Sequence, residues 1–277
     1  MMNTAKTKAL RLLATVLIGI FAIACIFPFI WMLSTSFKYE IDVMEFPIRL
    51  IPKNWNFQNY VNVVKNSNFP IYYWNTIKVT VISVVGQLLI SSMAAYAFGR
   101  LKFRGKALLY SVYLATMMIP ATVIILPKYL YFSQLGLTNT HWSLILPSFF
   151  SVFGVLLLRN AFAEIPMELS EAAFLDGASH FWIYSRVIMP LNKPTLMTLV
   201  LIAFTWSWND YMNPLIFLSE DKLLTITVGL QKFADESSNN YALIMAGASL
   251  ALIPIILVFL MAQRYFIESF THAGVKG

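Results

Sequence analysis

Six long stretches of this 277-residue chain are almost free of charge, and that pattern fixes its solvent before it fixes its shape. They cover about 12–37, 76–99, 107–129, 142–163, 194–218 and 241–263. Each approaches or exceeds the ~20 residues that cross ~30 Å of hydrocarbon as a helix. A membrane β-barrel would need ~10-residue segments of alternating hydrophobicity, and these runs are continuous. Only 12% of the residues are charged and 58% are hydrophobic, against about 25% charged in a soluble domain. The expected fold is therefore an all-α integral membrane protein, residues 1–277 forming one transmembrane domain of six transmembrane helices. Pro120, Pro147 and Pro254 fall within or at the edge of runs, which a bundle tolerates when neighbours satisfy the freed carbonyls.

The net charge of +7 would suggest nucleic acid in a soluble protein. Here the basic residues stand at the ends of apolar runs, which is the orientation signal of a membrane protein, so nucleic acid is not an expected partner and lipid is. The turn "GRLKFRGK" holds Arg100, Lys102, Arg104 and Lys106, and the N-terminal segment adds Lys6, Lys8 and Arg11. An even number of spans puts this turn and both termini on one side, the cytoplasmic one. The 38–74 loop mixes basic residues with Glu40, Asp42 and Glu45 and is assigned outside. Cys25 is the single cysteine, which excludes an internal disulfide or a cysteine metal cluster. "FAIAC" resembles a cleavage site, but its apolar run reaches Phe37, longer than the ~7–15 residues of a signal core, so a retained helix is expected.

One connection differs from the rest. Residues 164–190, on the cytoplasmic side by alternation, include "ELSEAAFLDGASHFWIYSRVIMP". Pro166 suits a first helical turn, and Glu168 meets the positive end of that helix. Gly177 can take the left-handed conformation that ends a helix, and Ser179 is suited to cap a second one. An amphipathic connector lying on the membrane would use the same residues. Yet tight helix connections need only ~2–8 residues, and an exposed helix pair of this length suits docking into a groove on another protein.

The register of this stretch resembles the EAA loop of ABC importer permeases: Glu-Ala-Ala, three residues, Gly, nine residues, Ile, one residue, Leu-Pro. Glu171, Ala172, Ala173, Gly177 and Pro190 match, with Val187 for the Ile and Met189 for the Leu. "FPFIWMLSTSFK", "AAYAFGRLKFRGK", "WSWNDYMNPLIFL" and the closing "GVKG" extend the likeness along nearly the whole chain. It is similar to maltose-type carbohydrate uptake permeases, and to the smaller, six-span member of their permease pair. His272 departs from the small residues usual in that tail.

The resemblance implies a transport subunit rather than an enzyme, in the cytoplasmic (inner) membrane of a prokaryote. It implies a second homologous permease, two copies of a P-loop ATPase and an extracellular solute-binding protein. ATP and Mg would be bound by those ATPases, with no cofactor in this chain; no G-x-x-x-x-G-K-[ST] loop occurs in it. It also implies a cytoplasmic EAA coupling loop between helices 4 and 5 that links ATPase to membrane through Glu171, Ala172, Ala173, Gly177, Val187 and Pro190. Small alanines fit a cleft, and Glu171 can form a charge-assisted bond with a partner cation.

For the solute path, Trp206, Trp208, Asn209, Asp210, Tyr211 and Asn213 offer aromatic faces and hydrogen-bonding groups, either to a sugar or to a docked binding protein. An interfacial aromatic belt would use the same residue types. Gln87, Ser91 and Tyr96 are further candidates, with helix-to-helix packing of small and polar residues as the alternative. His141, His180 and His272 lie on different segments and form no metal set. A stand-alone secondary transporter would place ionisable residues in mid-membrane, and the runs hold few. Importers of amino acids, peptides or phosphate share the EAA pattern, so the carbohydrate reading rests on "WNDYMNPL" and the overall likeness.

Overall fold

The computed structural model describes residues 4–237 and 240–274, which are helical with no strand among them. The helices are α1 (Thr4–Ser36), α2 (Glu40–Val43), α3 (Gln58–Lys65), α4 (Phe69–Arg100), α5 (Lys106–Ala115), α6 (Ala121–Gln134), α7 (Trp142–Ser148) and α8 (Val152–Glu164). They continue as α9 (Met167–Leu175), α10 (His180–Ile183), α11 (Met189–Leu191), α12 (Lys193–Trp208), α13 (Met212–Phe217), α14 (Ile226–Glu236) and α15 (Tyr241–Gly274). Val275–Gly277 of the closing "GVKG" lie outside the described residues.

Among the described residues, four segments are long and apolar enough to cross a membrane: Leu10–Ser36, Phe69–Arg100, Trp142–Glu164 and Tyr241–Arg264. Two more pass that test only as bent pairs, Lys106–Met118 with Ala121–Gln134 at 99° and His180–Leu191 with Lys193–Trp208 at 82°. The first bend corrects the straight run expected over 107–129. Pro120 lacks an N–H and disfavours the α region for the residue before it, and Ile119 is extended at φ −85°, ψ 115°. The run over 194–218 also divides, because α12 ends at Trp208 and a separate short helix begins at Met212.

The described residues form two compact units, drawn from Met1–Phe69 with Leu230–Leu252 and from Pro70–Gly229 with Ile253–Gly277. In the first, Asn59 Nδ2 donates to the carbonyls of Ser36 and Lys38, each at 2.9 Å. The Lys38 ammonium donates to the Arg49 carbonyl at 2.7 Å. The start of α15 is capped from two segments, Ala242 N–H on the Glu40 carboxylate and Leu243 N–H on Asn240 Oδ1, both at 2.9 Å. These satisfy amides that a helix start leaves without intrahelical acceptors.

In the second unit, α4 packs closely on α8. A Cβ on Gly154 would stand 2.8 Å from Ser91 Oγ, so the two helices meet where one has no side chain. This is the small-residue contact by which helices associate in lipid. Beside it lies a buried cluster that includes Leu158, Phe162, Ile183, Ile188 and Leu199.

Candidate functional site

The connection over 164–190 is built on one buried guanidinium. Arg100, the last residue of α4, is 7% exposed. Its Nη1 donates to the Ile165 carbonyl at 2.6 Å and its Nη2 to the Pro166 carbonyl at 3.1 Å and to Ser170 Oγ at 2.6 Å. The carbonyls that end a helix have no intrahelical donor, and a cation there is favoured by the helix dipole. Arg100 thereby ties the end of α8 to the start of α9.

Pro166 stands at the N-cap of α9, one position ahead of the first turn expected for it. The helix then closes as a Schellman motif. Ala178 N–H bonds the Ala173 carbonyl at 2.9 Å, Gly177 N–H bonds that of Phe174 at 3.0 Å, and Gly177 has φ +82°. Ser179 Oγ accepts the Trp182 N–H at 3.2 Å and starts α10. A π-helical turn over Tyr184–Ile188 carries the chain to α11. Ile183, Tyr184 and Ile188 are buried, and Ala173 and Val187 pack against their cluster. Glu171, Ala172, Gly177 and Pro190 face outward. So the two alanines of the motif do different work, with Ala173 against the core and Ala172 on the open face. Leu175 and Phe181 are also on the surface, 90% and 68% exposed.

A cavity of about 720 Å³ lies elsewhere in this unit, lined among others by Ser83, Gln87, Lys128, Trp206, Asn209 and Asp210. Lys128 Nζ donates to Asn213 Oδ1 at 2.6 Å, and Asn213 Nδ2 donates to the Asp210 carboxylate at 2.9 Å. The amide thus relays between a cation and an anion. Ser83 Oγ and Gln87 Nε2 are buried with no hydrogen-bond partner among the described residues.

Of the residues expected along a solute path, Gln87, Trp206, Asn209, Asp210 and Asn213 reach this cavity. Trp208 does not, for it is 2% exposed and packed between Phe204 and Tyr73, with ring centroids at 5.5 and 5.7 Å. Ser91 is buried against Gly154, and Tyr96 is buried beside Tyr184 and His180. Tyr211 is 40% exposed and outside the cavity lining. Sequence reasoning missed Lys128 and Arg100 as site residues. The signal for Lys128 was a lysine followed by more helix, because α6 runs on to Gln134 and an intramembrane cation is costly.

Apolar helices of membrane-spanning length define a polytopic membrane protein, and one with a polar cavity among them. Residues 87–272 match the family described as binding-protein-dependent transport system inner membrane component, and the chain belongs to that family. It is 34% identical to the probable ABC transporter permease YurM of Bacillus subtilis, over 95% of this chain and 87% of that one. It is 31% identical to the melibiose/raffinose/stachyose import permease MelC of the same organism, with both chains covered in full. Among solved structures it resembles a chain of a bacterial ABC transporter that imports the acidic polysaccharide alginate. The TM-score is 0.85 at 29% identity, over 94% of this chain and 98% of that one. The protein is a multi-pass permease subunit of the cell membrane.

Proposed function

We propose that this chain forms half of the translocation path of an ATP-driven importer for a sugar or oligosaccharide. Its two bent helix pairs each count as one span in this reading, giving six, with both termini and the 100–106 turn cytoplasmic. The observation that carries it is the cavity, which Trp206 lines together with the polar residues Gln87, Asn209 and Ser83. A sugar offers apolar C–H faces to stack and hydroxyls to pair, and a small number of placed polar groups gives such a site its specificity. The relatives named for sugars support the same class.

The path is completed by a second homologous permease, with solute delivered by an extracellular binding protein. Two copies of a P-loop ATPase bind ATP and Mg, and the 164–190 connection docks into them as the EAA coupling loop. Glu171 meets a partner cation, Ala172 lies against the cleft, and Gly177 sets the bend between the two short helices.

The test is ATP-dependent uptake of radiolabelled oligosaccharides by the complex reconstituted in proteoliposomes with its binding protein. Trp206→Ala and Gln87→Ala raise the half-saturating concentration for transported sugar by about tenfold, the loss of about 1.4 kcal/mol. Unchanged uptake in both variants would overturn direct solute contact at this cavity. Purification of the chain alone after crosslinking, with no ATPase attached, would overturn the coupling role.

A further inference from the structure

A second cavity, of about 700 Å³, opens where α5 leaves the basic turn, and nothing in the transport reading uses it. Lys106 and Arg159 both line it, with Tyr110, Ser111 and the rings of Phe98 and Phe103. The two cations are poorly satisfied. Lys106 Nζ has the Leu101 carbonyl at 2.9 Å, and Arg159 Nη1 has Asn160 Oδ1 at 3.2 Å. No described carboxylate lies within ion-pair distance of either. Arg159 stacks over the Tyr110 ring at 5.1 Å, and its Nε and the Tyr110 hydroxyl are buried without hydrogen-bond partners among the described residues. The first turn of α5 faces the same space with no side-chain cap, Gly105 standing at its N-cap with φ +78°.

Two cations and an uncapped helix start around one cavity call for an anion. The residues after Lys106 narrow the choice. Leu108, Leu109 and Val112 are 70%, 55% and 58% exposed, an apolar strip along α5 that begins at Leu108 on the cavity wall. A ligand that fits both parts has a charged phosphate head and hydrocarbon tails. Basic pockets between transmembrane helices at the cytoplasmic face are suited to such headgroups.

We propose that this cavity holds the headgroup of an anionic phospholipid, its phosphate between Lys106 and Arg159 and its acyl chains along Leu108 and Val112. The inference takes from the transport reading only that the 100–106 turn lies at a membrane face.

The test uses the whole importer complex in phosphatidylcholine nanodiscs titrated with phosphatidylglycerol, reading thermal stability and lipid retained by native mass spectrometry. Phosphatidylglycerol raises the melting temperature and is retained, and the Lys106→Gln/Arg159→Gln double variant binds it about thirtyfold more weakly, having lost two near-surface cations. Lys106→Arg, which keeps the charge and serves if the double variant fails to assemble, retains the wild-type response. A double variant with the wild-type response overturns the proposal, as does a Lys106→Arg variant that loses it. Inorganic phosphate reproducing the shift in pure phosphatidylcholine also overturns it, because the ligand would then be a soluble anion. A complex that retains phosphatidylglycerol but transports no sugar would uphold this site and sink the substrate assignment instead.

Discussion

Arg100 Nη2 donates to Ser170 Oγ at 2.6 Å, joining the last residue of α4 to the first turns of α9 across 70 positions of sequence. Arg100→Ala leaves the carbonyls of Ile165 and Pro166 without their donor in a buried setting. Hydrogen bonds to charged groups contribute about 1.5–3 kcal/mol each, so the variant loses about 3 kcal/mol and couples ATP hydrolysis to uptake poorly. Ser170→Ala, which removes one bond of the set, loses about 1.5 kcal/mol, the low end of that range. Melting temperature and uptake per ATP hydrolysed read both, and an Arg100→Ala complex with wild-type values for each would refute the role of this anchor.

Gly177 has open space around a would-be Cβ, so its requirement is conformational rather than steric. A left-handed backbone costs other residues about 1–2 kcal/mol. Gly177→Pro adds a fixed negative φ and removes the N–H bonded to Phe174, so it displaces α10 from α9. Assembly and membrane insertion persist in this variant while ATP hydrolysis no longer drives uptake. Glu171→Ala gives the same uncoupling with the loop conformation intact. Normal uptake by an assembled Gly177→Pro complex would contradict the coupling role.

Lys128, Asn213 and Asp210 form a relay in which each charge compensates the other through an amide. Removing one charge strands its opposite in a partly buried site, at a cost of up to about 3–5 kcal/mol when burial is complete. The Lys128→Gln/Asp210→Asn double variant therefore loses less stability than the sum of the two single losses. A double-mutant cycle measures this directly. Strictly additive losses would mean that the two charges do not communicate.

His141, ahead of α7, donates from Nε2 to the Leu223 carbonyl at 2.8 Å, which places the proton of the neutral ring on that nitrogen. Burial holds its pKa below the ordinary 6.5, outweighing the carbonyl bond, and the Lys78 charge adds to the lowering. The unfolded chain therefore binds more protons than the folded one between the two pKa values. Stability is full above about pH 6.5 and declines as the pH falls from there toward the lowered folded value. Thermal melts in detergent across that range show the decline, and His141→Gln flattens it. A wild-type melting temperature that holds constant into acid would exclude the effect.

Much of this was legible because lipid enforces simple rules. Apolar runs had to be helices, and "EAAFLDGASH" carried its own punctuation in Gly177 and Ser179, both of which act where the residue types suggest. The bend at Pro120 was half visible, since a proline inside a span marks a break without giving its angle. The cavity was harder. Trp206 and Trp208 are two positions apart, and their separate fates, one on the cavity and one in the core, depend on how α12 is rotated against its neighbours. Arg100 read as an orientation signal, and nothing local shows that the chain returns 65 residues later to be held by it.

The helix that ends in that guanidinium is 32 residues long, a rod of about 48 Å at 1.5 Å per residue. Near its other end Tyr72 donates to Asp221 at 2.6 Å, and Asn75 to the carbonyls of Lys222 and Leu224 at 2.8 and 3.0 Å. α4 is thus pinned at both tips and works as a tie-rod. A tilt of about 5° about one tip would sweep the other through about 4 Å over that length. A small shove on α9 at one end of α4 would then be felt as a lateral stroke of the 221–224 loop at the other, with no intervening residue needing to change its conformation.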